Sequence, residues 1–234
     1  MRGASGTRSC GWRPRRLAGA AVGLAALGPL TAGAPAVAAS TVTVSTAQRP
    51  LDVPDSSAVE PYTGYNQGWW AEHEGHDGDG YDNPNYATGY SMPYDETRSF
   101  FTFYVGGVDR RVTAATMRVP RGCATSPDAS ERVRFYDVST PARELVTGTA
   151  PSASTFEDLG SGVLYAQNDV STAGGGAVLD IRLNARALEA LNRARGRDYF
   201  SVGAAVSTLS STGQDETVFG CTGRRAVALV LTTR

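Results

Sequence analysis

The residues best suited to chemistry lie in a short acidic loop, residues 76–83, which reads HDGDGYDN. Its carboxylates belong to Asp77, Asp79 and Asp82, and the glycines between them let the backbone turn tightly. Calcium takes about six to eight oxygen ligands, and closely spaced carboxylates can supply several of them. The loop lacks the glutamate that completes an EF-hand loop. We therefore predict either a calcium site at these three aspartates or a plain solvated turn.

The only two histidines, His73 and His76, lie beside the same loop. With Glu72, Glu74 and Asp77 they could form a zinc site, because imidazole nitrogen and carboxylate oxygen both bind zinc. Three-residue spacing requires a suitably turned backbone, and no distant third ligand is indicated. Zinc is the weaker alternative, and apart from calcium the sequence predicts no cofactor.

Aromatic residues are concentrated between residues 62 and 104. Exposed tyrosine and tryptophan rings form flat amphipathic surfaces that suit sugar faces or a protein partner. We predict a ligand-binding surface formed by Trp69, Trp70, Tyr81, Tyr86, Tyr90 and Tyr94. The alternative is that the two tryptophans point to opposite sides of a strand and that one of them enters the core.

A catalytic machinery is not evident. No G-x-S-x-G motif occurs and both histidines share one loop, which argues against nucleophilic catalysis. A carboxylate pair for glycoside hydrolysis could come from Glu96, Asp137, Glu157 and Asp158. We therefore predict a non-catalytic module that binds an extracellular polymer, such as carbohydrate, or a protein partner. The alternatives are an extracellular polysaccharide hydrolase and a purely structural matrix protein.

A secretory signal peptide is predicted at the start of the chain. Arg13, Arg15 and Arg16 precede an apolar stretch over residues 17–32, and small residues at 36–39 suit cleavage. The mature protein would begin near residue 40 and act outside the cell, after export by the general or the twin-arginine route.

Charge argues against two classes of partner. Removing residues 1–39 takes away five of the 22 basic residues and none of the 23 acidic ones, which leaves a net charge of −6. Nucleic acids and anionic membranes are normally met by a concentrated basic face. We therefore expect neither as a partner of the mature chain.

Two cysteines, Cys123 and Cys221, remain after cleavage. An even pair in an oxidising compartment favours a disulfide bond, and neither CxxC spacing nor a partner histidine indicates a reactive thiol.

The elements that must position these residues are mostly strands. Apolar residues recur with a period of two along segments such as 112–119, 132–138 and 199–206, and turn-forming clusters separate them. One segment has helical periodicity, with Asn184 as its cap and Gly196 as its end. We predict a lead-in segment at 40–60, containing one edge strand, followed by a single antiparallel β-sandwich at 61–234. The sandwich would be jelly-roll-like, with one crossover helix near 185–195.

Several strings resemble a family of uncharacterised exported bacterial proteins, many of which carry a PEP-CTERM sorting tail. They are GWW at 68–70, RSFFTF at 98–103, FYDVSTP at 135–141, FEDLGSG at 156–162 and VFG at 218–220. The resemblance implies a secreted β-rich domain without an established activity. The sorting tail is absent here, since the sequence ends at Arg234, which predicts a released protein.

Overall fold

Antiparallel strands dominate the part of the chain that the computed structural model describes. That part comprises residues 38–49, 51, 65–73, 75–76, 85–92, 95–148, 150, 152–173, 175–210, 213–223 and 225–234. The strands are β1 (Ser40–Ser45), β2 (Gln67–Ala71), β3 (Gly75–His76), β4 (Thr88–Ser91), β5 (Asp95–Tyr104), β6 (Val112–Pro120), β7 (Cys123–Thr125), β8 (Ser130–Asp137), β9 (Leu164–Ser171), β10 (Val178–Arg182), β11 (Tyr199–Val206), β12 (Glu216–Gly220) and β13 (Ala228–Thr233). The helices are α1 (Ala142–Thr147), α2 (Ala153–Leu159) and α3 (Ala185–Ala194). The predicted signal peptide lies outside these residues except for its last two positions.

The strands form two antiparallel sheets. The smaller sheet has the order β1-β13-β6-β10, and the larger has the order β7-β12-β4-β5-β11-β8-β9, with β2 pairing both β5 and β3. Strand β5 organises the larger sheet because it pairs with β4 at residues 95–97, with β2 at residues 97–101 and with β11 at residues 99–104. The predicted all-β antiparallel fold is confirmed, and the two sheets are consistent with a sandwich. The jelly-roll connectivity stays a prediction.

Alternation along β5 divides the apolar side chains between two clusters. Phe101 and Phe103 enter the main core, together with Met117 and Leu229 from the smaller sheet. Phe100 points the other way, into a second cluster on the outer face of the larger sheet. Both faces of this sheet are therefore covered along part of β5, which explains why β5 is buried along much of its length.

Helices α1 and α2 cover the second cluster. Its buried members are Trp70, Phe100, Leu145, Val146, Phe156 and Leu159. Helix α2 begins after Ser152, whose hydroxyl oxygen accepts a hydrogen bond from the Thr155 amide at 3.2 Å. The expectation of a single helix is wrong, because these two short helices were not recognised in the sequence.

Helix α3 is where the sequence predicts a helix. The Asn184 side chain accepts hydrogen bonds from the amides of Arg186 and Ala187, as an N-cap does. Ala187 and Leu191 are buried, and Gly196 has a φ of 74°, which suits the residue after a helix end. The helix packs against β6, β9 and β11.

The predicted disulfide bond is present between Cys123 and Cys221, whose Cα atoms are 5.2 Å apart. It joins the start of β7 to the residue that follows β12. The edge strand expected in the lead-in segment is β1, which pairs with β13. No helix within the described ranges is long and apolar enough to cross a membrane.

Candidate binding groove

A groove of about 380 Å³ lies on the outer face of the larger sheet, next to α1. Strand β11 contributes Tyr199 and Ser201, which point away from the main core because Phe200 and Val202 alternate with them and enter it. The residues that line the groove are Leu51, Val138, Ser139, Thr140, Pro141, Ala142, Arg143, Asp198, Tyr199 and Ser201.

Tyr199 is held by its neighbours on two sides. It is the cross-strand partner of Tyr104, and the two rings make an edge-to-face contact with centroids 5.3 Å apart. The Tyr199 hydroxyl donates to the Arg49 carbonyl oxygen at 2.9 Å. The guanidinium carbon of Arg49 lies 4.8 Å from the centre of the Tyr104 ring, a cation–π contact. The ring of Tyr199 is therefore fixed rather than free to rotate.

The backbone around Arg49 is shaped by a buried asparagine. Arg49 has a φ of 46°, in the left-handed region that non-glycine residues rarely adopt. The Asn66 side-chain amide donates to the carbonyls of Gln48 and Arg49 at 3.3 and 3.2 Å, and its oxygen accepts from the Leu51 amide at 2.9 Å. Asn66 thus positions both the carbonyl that binds Tyr199 and the Leu51 side of the groove.

Another part of the groove lining, Ser139 and Thr140, is organised by Asp158 of α2. Its carboxylate accepts hydrogen bonds from the amides of Ser139 and Thr140 at 2.9 and 2.7 Å. It also accepts from the hydroxyls of the same residues at 3.0 and 2.7 Å. One side chain thereby satisfies four donors and fixes the segment that leads into α1.

The groove combines an apolar wall with groups that form hydrogen bonds. Val138 and the Tyr199 ring supply apolar surface, and Ser201, Asp198 and Arg143 supply polar groups. Arg143 is exposed, and its guanidinium makes no hydrogen bond or ion pair with the part of the chain that the structure describes. A small number of polar groups around an apolar surface is typical of ligand sites.

Tyr165 of β9, which is buried in the main core, has a shifted pKa. Tyr165 stacks on Phe200 with ring centroids 5.7 Å apart. Burial, and secondly the negative charge of Asp137, raise the pKa of Tyr165 to about 12. The phenol is therefore a neutral packing group at physiological pH.

The aromatic residues predicted to bind a ligand do not share one exposed face. The exposed fractions of Trp69, Trp70 and Tyr86 are 6%, 1% and 0%. Trp70 donates to the Leu145 carbonyl at 3.2 Å, and the Tyr86 hydroxyl donates to the Pro120 carbonyl at 2.6 Å. Burial also raises the pKa of Tyr86 above the usual tyrosine value. The expectation that these three rings face solvent is wrong, since they pack in the interior.

Of the other three residues of that predicted surface, the structure describes Tyr90 and does not describe Tyr81 and Tyr94. Tyr90 is half-buried on β4, and its hydroxyl lies 3.8 Å from the sulfur of Met92. Tyr81 and Tyr94 lie outside the described residues, as do the proposed calcium ligands Asp77, Asp79 and Asp82. Binding by these residues, including calcium binding, stays a prediction.

The alternative zinc site beside His73 has no third ligand among the described residues. His73 Nδ1 lies 3.3 Å from a carboxylate oxygen of Asp95 and 3.9 Å from one of Glu72, all on an exposed surface. No group of three or more histidine, cysteine, aspartate or glutamate side chains suited to a metal ion occurs among these residues.

The carboxylates considered for hydrolysis have structural partners. Glu96 accepts from Arg98 Nε at 2.7 Å, and Glu157 lies 3.7 Å from Nη1 of the same arginine. Asp137 accepts a hydrogen bond from the Val163 amide. Asp158, as described above, holds the groove segment.

The groove residues were not recognised in the sequence as a site. The signal that could have found them is the pair of strings FYDVSTP and FEDLGSG, because Ser139 and Thr140 of the first are bound by Asp158 of the second. Comparison with protein-family models finds no match to the chain, and a search of curated proteins finds none either. The resemblance to exported β-rich proteins therefore stays a prediction.

Proposed function

We propose that this protein is an exported, non-catalytic module that binds a segment of an extracellular carbohydrate polymer in the groove beside Tyr199. The observation that carries the proposal is the groove itself, in which a fixed tyrosine ring adjoins hydroxyl, carboxylate and guanidinium groups. Sugars present apolar C–H faces and rings of hydroxyls, so a ligand of this class needs both kinds of surface.

The size and rigidity of the groove support the same function. Its volume of about 380 Å³ falls in the range of ligand pockets, which is roughly 300–1,000 Å³. Asn66 fixes the backbone at Leu51, and Asp158 fixes the backbone at Thr140. Tyr199 belongs to β11 and is held within the sheet. A site that is already ordered loses little conformational entropy when a ligand binds.

Binding without catalysis is favoured by the engagement of the nearby carboxylates. A glycoside hydrolase needs two carboxyl groups about 5–10 Å apart across the cleft. Among the described residues that line the groove, Asp198 is the one carboxylate, and it accepts a hydrogen bond from the Tyr199 amide at 2.8 Å. Export is supported by the predicted signal peptide and by the disulfide bond, which suits an oxidising compartment.

The test is a glycan-array screen followed by calorimetry on the chain from residue 40, with and without calcium ions. Tyr199→Ala is compared with Tyr90→Ala, which removes a half-buried tyrosine from the surface that the aromatic composition predicts. We expect a glycan that binds the unaltered chain to bind Tyr199→Ala at least about tenfold more weakly and Tyr90→Ala with unchanged affinity.

Circular dichroism is used to check that both variants fold. Equal affinity of folded Tyr199→Ala and the unaltered chain would contradict the groove as the site. Loss of binding in Tyr90→Ala alone would place the binding site at the aromatic surface that the sequence predicts. A chain that binds no glycan on the array would contradict the carbohydrate proposal.

A further inference from the structure

Exposed arginines are concentrated at the end of the molecule next to the groove. Arg110 and Arg111 lie on the turn between β5 and β6, Arg195 and Arg197 on the turn between α3 and β11, and Arg49 on the turn after β1. We call these five residues the arginine end. All are exposed except Arg195, which is half-buried.

Backbone hydrogen bonds fix two of these turns against each other. The Val105 amide donates to the Asp198 carbonyl, and the Gly196 amide donates to the Val105 carbonyl, both at 3.0 Å. Arg195 Nη1 donates to the Asp109 carbonyl at 2.7 Å. The turns that carry Arg110, Arg111 and Arg197 are therefore fixed against each other, and Arg195 is part of the contact between them.

Three members of the arginine end have no side-chain partner among the residues that the structure describes. Arg110, Arg111 and Arg197 make no side-chain hydrogen bond or ion pair within the described ranges. By contrast, two exposed arginines on strand faces have carboxylate partners, Arg118 in Asp180 and Arg132 in Asp169. Asp109 and Asp198 are the acidic residues on the two joined turns, so the arginines outnumber them.

The arginine end and the groove share a border. Asp198 and Tyr199 line the groove, and Arg49 lies over the ring that contacts Tyr199. Arg143 provides a further exposed guanidinium on another side of the groove. Asp198 and Tyr199 lie at the start of β11, so a polymer that extends from the groove past this point would cross the arginine end.

From this arrangement we infer that the polymer is an anionic polysaccharide, whose carboxylate groups pair with the arginine end while a sugar ring occupies the groove. The inference rests on the proposed function and names the class of its ligand. A guanidinium binds a carboxylate through two parallel hydrogen bonds, which makes arginine the suitable residue. The net negative charge of the mature chain would keep such a polymer away from the rest of the surface.

The test uses matched pairs of polymers that differ in charge alone. Polygalacturonate, alginate and hyaluronate are each compared with their methyl esters by calorimetry at low and at physiological salt. The chain is tested unaltered, as Arg110→Gln/Arg111→Gln, as Tyr199→Ala, and as the control Arg118→Gln/Arg132→Gln, which removes the same charge from the strand faces.

We expect at least one acid form to bind at least about tenfold more tightly than its ester, with an affinity that falls as salt rises. The Arg110→Gln/Arg111→Gln variant should bind it about tenfold more weakly, and the control less than about twofold more weakly.

The outcomes separate this inference from the proposed function. Esters that bind as well as acids, in a manner that depends on Tyr199, would overturn the inference and leave the groove proposal standing. Acid binding that depends on Arg110 and Arg111 but not on Tyr199 would overturn the groove as the sugar site and support the arginine end. Absence of binding to any acid form would overturn the inference. Equal binding of duplex DNA, or of vesicles with equal parts phosphatidylglycerol and phosphatidylcholine, would overturn the assignment to polysaccharide.

Discussion

Replacing Asp158 by alanine tests whether this side chain builds one side of the groove. The carboxylate accepts four hydrogen bonds of 2.7–3.0 Å, two from backbone amides and two from hydroxyls. A typical hydrogen bond contributes about 1 kcal/mol net, and one to a charged group about 1.5–3 kcal/mol when desolvated. Because Asp158 is half-buried, we take about 0.5–1 kcal/mol for each of the four bonds and expect a loss of about 2–4 kcal/mol.

The measurement is the free energy of unfolding from urea titration, supported by the melting temperature. For a domain of this size the expected loss lowers the melting temperature by roughly 4–16 °C. Asp158→Asn should fall between the unaltered chain and the alanine variant, because one amide oxygen can still accept hydrogen bonds.

The adjacent residue provides the control. Glu157 has a side chain that is 71% exposed and makes one ion pair with Arg98 at 3.7 Å, so Glu157→Gln should change the free energy of unfolding by less than about 1 kcal/mol. Equal stability of Asp158→Ala and the unaltered chain, or an equal loss in Glu157→Gln, would refute the role assigned to Asp158.

Three further changes have defined outcomes. Gly203→Ala would place a methyl group 2.4 Å from a carbonyl oxygen of α2, so urea titration should show a loss of at least about 2 kcal/mol, whereas Gly107→Ala, with open space around it, should show none. Reducing the bond between Cys123 and Cys221 should lower the free energy of unfolding by up to about 4–5 kcal/mol, since the bridge spans 98 residues; an unchanged urea midpoint would contradict this. The pKa of Tyr165 is about 12 in the folded chain, above its value of 10.0 when unfolded, so the stability it contributes is complete below pH 10 and is lost as pH rises toward 12. Ultraviolet titration of Tyr165→Phe should lack one late-ionising phenol, and loss of an early one instead would contradict the shift.

The period of two in the sequence predicted most of the strands because most of them bury one face. Phe101 and Phe103 alternate with Thr102 and Tyr104, and the structure places the two phenylalanines in the main core. Helix α3 was predictable for a similar reason, since it has a cap, an apolar face and a glycine end within one short segment.

Helices α1 and α2 could not be recognised because each is less than two full turns long. In α1 the buried residues are the adjacent Leu145 and Val146, which give no helical period, and α2 is too short for the spacing of Phe156 and Leu159 to repeat. Their stability comes from packing against the outer face of the larger sheet, which the local sequence does not encode.

Trp69, Trp70 and Tyr86 were expected at the surface because aromatic composition alone does not distinguish an exposed platform from a core. Strand β2 is buried at all five positions, including Trp69 and Trp70, because it lies within a sheet that is covered on both faces. The groove, in contrast, depends on Asp158 meeting residues 139 and 140, which are 18 or 19 positions away in the chain. Such a contact is fixed by tertiary structure and has no local signal.

The position of β13 has a consequence for folding kinetics. This strand lies between β1 and β6 in the smaller sheet, and Ser40 of β1 faces Thr233 of β13 from 193 positions away in the chain. Bringing such distant segments together costs loop-closure entropy before any contact between them repays it. The pairing of β1 with β13 is therefore expected to form late, after the local hairpins, and to set the rate at which the smaller sheet is completed.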